Sequence, residues 1–210
     1  MHSSGRMISL PRLYAILDCG SNCTTESLLS FAGELAAGGC SVLQYRNKSG
    51  NARVMLEHVR EFKKHLDHSV KMIMNDRADL CLAAGFDGVH VGQEDLSPES
   101  VRAIIGPERW LGVSTHNPEQ LREADLTSAD YVVIGPVFAT SSKENPDPVV
   151  GLDGVRRARA LTRKPLVAIG GITRANAFSV IDAGADSVAV ISDLLRDPRK
   201  SAEEFFRILR

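Results

Sequence analysis

Aromatic residues make up only 5% of this 210-residue chain, which is thin material for a platform on which nucleic-acid bases could stack. Neither sign of charge dominates. The 25 lysines and arginines meet 26 aspartates and glutamates, for a formal net charge of −1, so no global field attracts nucleic acid or an anionic membrane. No run approaches the roughly 18 apolar residues of a membrane span. Met1 to Leu10 lacks the apolar stretch of a secretory leader, which points to a cytoplasmic protein. Cysteine is scarce and unpatterned: Cys19, Cys23, Cys40 and Cys81 form no doublet at zinc-ligand spacing and read as free thiols. His58, His65 and His68 share one lysine-flanked helical stretch and read as a solvated face rather than a metal site. The first apolar run ends in Asp18-Cys19-Gly20-Ser21, with no G-x-G-x-x-G turn of the dinucleotide-binding kind. Any grip on an anion must therefore be local.

What the chain does contain is alternation. Eight short apolar or β-branched runs recur, at Leu13–Leu17, Cys40–Gln44, Lys71–Met74, Gly88–Val91, Trp110–Val113, Tyr131–Ile134, Leu166–Ile169 and Ser187–Ile191. Between them the period shifts to 3.6, as in Leu28/Phe31/Ala32/Leu35, Met55/Val59/Phe62/Leu66 and Ala202/Phe205/Phe206/Leu209. Strict alternation of this kind implies parallel strands. A weak internal repeat sharpens the count: Ala37-Gly38-Gly39-Cys40-Ser41-Val42, Ala84-Gly85-Phe86-Asp87-Gly88-Val89 and Ala183-Gly184-Ala185-Asp186-Ser187-Val188 share one pattern, with Ser128-Ala129-Asp130-Tyr131 as a degenerate copy. Each marks a helix end running into an even-numbered strand. Four double units make a single-domain α/β protein, a closed (β/α)₈ TIM barrel over 11–210, preceded by a flexible N-terminal extension, 1–10. An open doubly wound sheet is the alternative.

In such barrels chemistry collects where strands end, and polar residues gather there. The second run ends Gln44-Tyr45-Arg46-Asn47-Lys48, with an amide and two cations at period two on one face. The third ends Asn75-Asp76, the fourth runs into Gly92-Gln93-Glu94-Asp95, and the fifth ends Ser114-Thr115-His116. The sixth opens a long connection, Gly135 to Val150, which contains Thr140-Ser141-Ser142-Lys143. The last two end Gly170-Gly171-Ile172-Thr173 and Ile191-Ser192. The loops entering the strands carry no comparable clusters. Each feature has a plainer reading: Arg46 and Lys48 as surface charges, Asp76 as a helix cap, Ser97-Pro98 as a helix start, His90 as a core histidine, His116 as a helix-start residue. Their gathering at one rim is what carries weight.

Two parts of that rim fit together. Gly170-Gly171 at the start of the seventh helix and Ser192 at the start of the eighth offer backbone N–H groups for a monophosphate. Asp76 and Asp95 suit a hard cation such as Mg²⁺, with Arg46, Lys48 and Lys143 left to neutralise a polyphosphate. Together they suggest two phosphorylated small-molecule substrates and departure of pyrophosphate, with no nucleophile–base pair in view. Nucleic-acid and membrane partners are not expected, and self-association into a homo-oligomer stays open.

These motifs, from Gln44-x-Arg46-x-Lys48 through Asn75-Asp76, Gly92-Gln93-Glu94-Asp95, Gly112-Val113-Ser114, Gly135-Pro136-Val137-Phe138 and Gly170-Gly171-Ile172-Thr173 to Ile191-Ser192, resemble the ordered set of the thiamine phosphate synthase family. The resemblance implies a transferase joining 4-amino-2-methyl-5-(diphosphooxymethyl)pyrimidine to 4-methyl-5-(2-phosphooxyethyl)thiazole, with pyrophosphate leaving before the thiazole nitrogen attacks. Mg²⁺ would lie on Asp76 and Asp95, and pyrophosphate on Arg46, Lys48, Asn75 and Lys143. Gln44 and Ser114 would line the pyrimidine, while Thr140, Ser142, Gly171, Ile191 and Ser192 would take the thiazole phosphate. Arg46, Lys48, Lys143 and Ser114 are the catalytic candidates. The chain departs from the family pattern at Ala139, where proline is common, and at Ser141-Ser142. Two rivals share the fold: a thiazole tautomerase with a histidine at the place of His116, whose kind tends to lack the metal aspartates, and a non-catalytic phosphate-binding barrel.

Overall fold

The computed structural model describes residues 8–20, 23–48, 51–140 and 147–210. Eight parallel strands close in chain order: β1 (Leu13–Asp18), β2 (Val42–Arg46), β3 (Lys71–Asn75), β4 (Gly88–Val91), β5 (Trp110–Thr115), β6 (Tyr131–Ile134), β7 (Leu166–Ile169) and β8 (Ser187–Val190). Around them lie α1 (Thr25–Ala37), α2 (Ala52–His65), α3 (Ala78–Ala84), α4 (Pro98–Ile105), α5 (Pro118–Asp125), α6 (Gly151–Leu161), α7 (Ala177–Asp182) and α8 (Pro198–Ile208). The barrel is closed and there is no open sheet edge, so the doubly wound alternative is excluded.

Strand boundaries differ from the expected runs in a consistent way. β2 starts two residues late because Gly39 takes φ +99° and the Cys40 N–H turns back to Leu35 O at 3.0 Å, which closes α1. Strands also run further into polar sequence than hydrophobicity predicts. Asp18 pairs with Arg46, Asn75 with His90, and Thr115 with Ile134 in the ladder. A neighbouring strand thus extends regular structure past the last apolar residue, and functional side chains end up on rigid elements.

The internal repeat has a physical cause at the N-terminal floor. Asp87, Asp130 and Asp186 each precede an even-numbered strand, and each carboxylate accepts an N–H from the first two residues of the preceding strand: Met72 at 2.9 Å, Leu111 at 2.8 Å and Leu166 at 2.8 Å. Each also pairs with a cation, namely Lys71, Arg102 and Arg159. The expectation that the entering loops carry no polar clusters is therefore corrected. Their partners lie 16 to 28 residues away in sequence, so no local pattern shows them.

Most side chains between sheet and helices are aliphatic, while the barrel interior holds Tyr14, Ile16, Val42, Ile73, Tyr131, Val133, Val167 and Ala189. Ile8 is buried with this interior set and Leu10 packs against it. Gly112 has to be glycine, since a Cβ there would fall 2.1 Å from the Tyr131 ring. The buried Tyr131 and Tyr14 hydroxyls hydrogen-bond at 2.9 Å, and the Gln44 amide donates to Tyr14 at 2.9 Å. That chain satisfies hydroxyls which, left unpaired, would each cost about 1–3 kcal/mol. It also carries polarity up from the packed interior to the rim.

Candidate active site

A cavity of about 1070 Å³ opens at the C-terminal mouth of the barrel. Gln44, Arg46, Lys48, Asn75, Asp76 and Asp95 line it from β2 to the loop after β4, and Ser114, Thr140, Gly171, Ile191 and Ser192 line it from β5 round to β8. The eleven expected site residues that the structure describes are all in this wall. Ser142 and Lys143, expected beside them, lie outside the described residues.

Cations and carboxylates alternate on one side. Arg46 reaches Asp18 at 2.5 Å and Lys48 reaches Asp76 at 2.5 Å. Asp76 is not a helix cap: α3 is preceded by Arg77, and Asp76 instead adopts φ +61°. A non-glycine residue in that region is held at a cost of about 1–3 kcal/mol, which marks a constrained position. Its N–H is anchored to His90 O at 2.8 Å, and the carboxylate turns into the cavity wall. Burial raises the Asp76 pKa, Lys48 pulls it back, and the nearby Asp95 carboxylate pushes it up again; the net direction is up. Asp95 is itself steadied by the Gly92 N–H at 2.7 Å. Two neighbouring carboxylates, one of them paired with Lys48, form a donor set that a small divalent cation would relieve. Among the described residues no group of three His, Cys, Asp or Glu converges on one point.

On the other side, Gly170 and Gly171 have φ +99° and +61°, and a Cβ on Gly171 would meet Ala139 O at 2.5 Å. Both glycines line the cavity, and the adjoining Pro136–Ala139 backbone leaves no room for a side chain on either. Their setting differs from the expectation in one respect: α7 begins only at Ala177, and Ser192 opens a separate 3₁₀ turn, Ser192–Leu194, before α8. Neither segment is the first turn of a long helix, so loop and turn amides rather than strong helix dipoles form this wall. Asn176 fixes the loop, accepting from Thr173 N at 2.8 Å and donating to Gly171 O at 3.0 Å.

Residues 13–194 match the family model described as thiamine monophosphate synthase. The chain belongs to that family. A thiamine-phosphate synthase of Koribacter versatilis is 62% identical over 205 residues, covering 96% of this chain and 97% of the relative. One from Chloroflexus aurantiacus is 42% identical, covering 86% and 83%. The solved thiamine phosphate pyrophosphorylase of Pyrococcus furiosus superposes with a TM-score of 0.83 at 33% identity, over 94% of this chain and 95% of that one. The barrel is accordingly an enzyme, a transferase of thiamine biosynthesis.

Within this thiamine monophosphate synthase barrel, one cavity residue escapes sequence reasoning. Asp18 lines the wall as the partner of Arg46; the period-two face Tyr14, Ile16, Asp18 is the signal that could have found it. His116 also lines the cavity, with its Nδ1 donating to Gly135 O at 2.7 Å. The expectation of no nucleophile–base pair meets one candidate, because His90 Nε2 and Ser114 Oγ lie 2.8 Å apart. Burial lowers the His90 pKa to about 4 and its Nδ1 has no hydrogen-bond partner among the described residues, so it lacks both the basicity and the orienting carboxylate of a catalytic dyad. It fixes the Ser114 hydroxyl instead, from a position stacked on Tyr131. His58 is not on a solvated face. It is buried, and its Nδ1 lies 2.7 Å from the Tyr45 hydroxyl, which also accepts from Asn47 at 3.0 Å.

Proposed function

We propose that the barrel condenses 4-amino-2-methyl-5-(diphosphooxymethyl)pyrimidine with 4-methyl-5-(2-phosphooxyethyl)thiazole, giving thiamine phosphate and pyrophosphate. One observation carries this reading: a single continuous cavity has a wall of cations and carboxylates from β2 to β4 and a glycine-lined wall at β7 and β8, which are opposite arcs of a closed barrel. Two phosphorylated groups can be held at once, with the reacting atoms between them.

In this reading Arg46 and Lys48 exchange Asp18 and Asp76 for the diphosphate, helped by the Asn75 amide and by Lys143. Gln44 and Ser114 hold the pyrimidine ring, the latter aimed by His90. Thr140, Ser142, Gly171, Ile191 and Ser192 take the thiazole phosphate. The bond between the pyrimidine methylene and the bridging oxygen breaks, and its electron pair leaves on pyrophosphate. The thiazole nitrogen lone pair then forms the new carbon–nitrogen bond. Asp76 and Asp95 hold Mg²⁺, which when bound supplies charge neutralisation for the departing pyrophosphate. Preorganised cations lower the barrier because charge on the leaving oxygen is larger in the transition state than in the ground state. Covalent catalysis has little support, since burial raises the Cys19 thiol pKa to about 12 and His90 stays neutral. The described cysteines are all free thiols and no helix among the described residues is long and apolar enough to cross a membrane, which supports a cytoplasmic enzyme.

The test is to incubate the full chain with both substrates, with Mg²⁺ and again with excess chelator. Thiamine phosphate and pyrophosphate should appear in equal amounts, and only with metal. An isomerised thiazole without pyrophosphate release would favour the tautomerase, and undiminished turnover in chelator would remove the metal assignment.

A further inference from the structure

The glycine-lined wall is made of two separate segments, the loop after β7 and the 3₁₀ turn after β8, and something must set the gap between them. Arg174 spans it. Its backbone N–H donates to Asp193 Oδ2 at 2.8 Å, its Nε to the same oxygen at 2.9 Å and its Nη2 to Asp193 Oδ1 at 3.2 Å. Its remaining arm, Nη1, reaches Glu204 Oε2 on α8 at 2.5 Å. One residue thus staples the loop, the turn and a helix that lie 19 and 30 residues further along the chain. Arg174 sits three residues after Gly171, and Asp193 directly follows Ser192; both of those neighbours line the cavity.

Asp193 is an awkward residue to find next to a phosphate-binding wall, because its charge would repel a dianion. The fork of Arg174 occupies both its oxygens and neutralises it, and Glu204 turns the fork in place. Planar bidentate gripping of this kind is what arginine does and lysine does not.

We propose that Arg174 is a positioning residue for the phosphate of the thiazole substrate: it sets the spacing of the two amide-bearing segments and cancels the Asp193 charge beside them. This rests on the reading that the thiazole phosphate binds at Gly171 and Ser192.

The test is steady-state kinetics of the full-length enzyme with both substrates, together with the thiazole alcohol that lacks the phosphate. Arg174→Met should raise KM for the thiazole phosphate about tenfold, with kcat and the KM for the pyrimidine substrate within about twofold. The preference for phosphate over alcohol, as a ratio of kcat/KM, should fall by about the same factor. Arg174→Lys should fall between wild type and Arg174→Met. Adding Asp193→Asn to Arg174→Met should recover part of the loss, because it removes the uncompensated charge. Ser192→Asp, which adds a carboxylate to the cavity wall without meeting neighbouring backbone, serves as the control for the site itself. If it raises KM for the thiazole phosphate and Arg174→Met does not, the staple is refuted while the site stands. If neither variant moves that KM, the phosphate does not bind here and both readings fall. A fall in every kinetic constant alike, with the phosphate preference unchanged and no recovery in the double variant, reduces Arg174 to a structural residue and overturns the proposal.

Discussion

The two ends of the barrel are both rich in charge, yet they use it in opposite ways. At the floor, Asp87, Asp130 and Asp186 each take a backbone N–H and a cation, and Arg102 spends its two terminal nitrogens on Gly106 O, Arg109 O, Ser128 O and Asp130. These charges close on the protein's own backbone. At the rim, Arg46 pairs with Asp18 and Lys48 with Asp76 through side chains alone, around a cavity of about 1070 Å³. Ion pairs of that kind can be traded for a ligand's phosphates, because breaking them exposes no orphaned backbone group. Charge density alone therefore does not mark a site. What the charge is bonded to does.

The largest effect expected from breaking this contrast is at the rim. Asp95→Asn, which keeps an oxygen for the Gly92 N–H but removes the charge, should lower pyrophosphate release by two or more orders of magnitude, about 3–4 kcal/mol of barrier, while the melting temperature moves little. Full activity in the variant would dismiss the carboxylate pair as a metal site. The floor should respond in reverse. Asp130→Ala strands the Leu111 N–H and the largely buried Arg102, whose side chain is 18% exposed against 11% for Asp130. Breaking a pair so placed should cost about 2–3 kcal/mol after allowing for its residual solvent contact. For a chain of this size that is a fall in Tm of about 5–10 °C, with kcat/KM unchanged well below the melting range. A floor variant that is stable but inactive would erase the distinction between the two ends.

How much of this could be read before any coordinates follows from the range of each interaction. Strand positions, the repeat at Gly39, Gly85 and Gly184, and the Ser97-Pro98 helix start are local, and the structure has Ser97 accepting from Ser100 N with Pro98 at the first helical position. The rim residues are legible too, because strand ends project side chains into one mouth once the barrel is recognised. Pairing across the sheet is not local. Asp18 with Arg46, His90 with Ser114 and Arg102 with Asp130 are 28, 24 and 28 residues apart, so the Ser–His contact and the floor clusters were invisible. A lysine-flanked stretch reads as solvated on average, whereas the position of His58 on α2 faces Tyr45. The glycine pair reads as the start of α7, whereas Asn176 ends the loop.

Between floor and rim lies His90, and pH reports on it. Its pKa is lowered to about 4 by burial, so the folded state binds a proton less readily than the unfolded chain. The sign follows directly: the histidine costs nothing above its unfolded pKa of about 6.5, and stability falls as pH drops from there towards 4. At pH 5 the loss attributable to His90 is about 2 kcal/mol. His90→Asn should flatten this part of the Tm-against-pH curve relative to wild type, leaving whatever slope His58, also lowered by burial, contributes. Parallel curves for the two proteins would mean that His90 is hydrated, and that the packed interior ends lower in the barrel than Tyr131.

The smallest expected effect asks whether the rim cations are held by the strand ladder or by what stands behind it. Tyr45 lies between Gln44 and Arg46 and points the other way, into the helix layer, where its hydroxyl meets His58 and Asn47. Tyr45→Phe removes that hydroxyl and takes its hydrogen bond from the buried His58, a loss of about 1–2 kcal/mol in stability. If the β1–β2–β3 ladder sets the positions of Arg46 and Lys48, kcat/KM should change by no more than about twofold, because the ladder pairs Asp18 with Arg46 independently of that hydroxyl. A drop of tenfold or more in pyrophosphate release, at a temperature where the variant stays folded, would show that the rim depends on its hydrogen-bonded backing as closely as the floor depends on its aspartates.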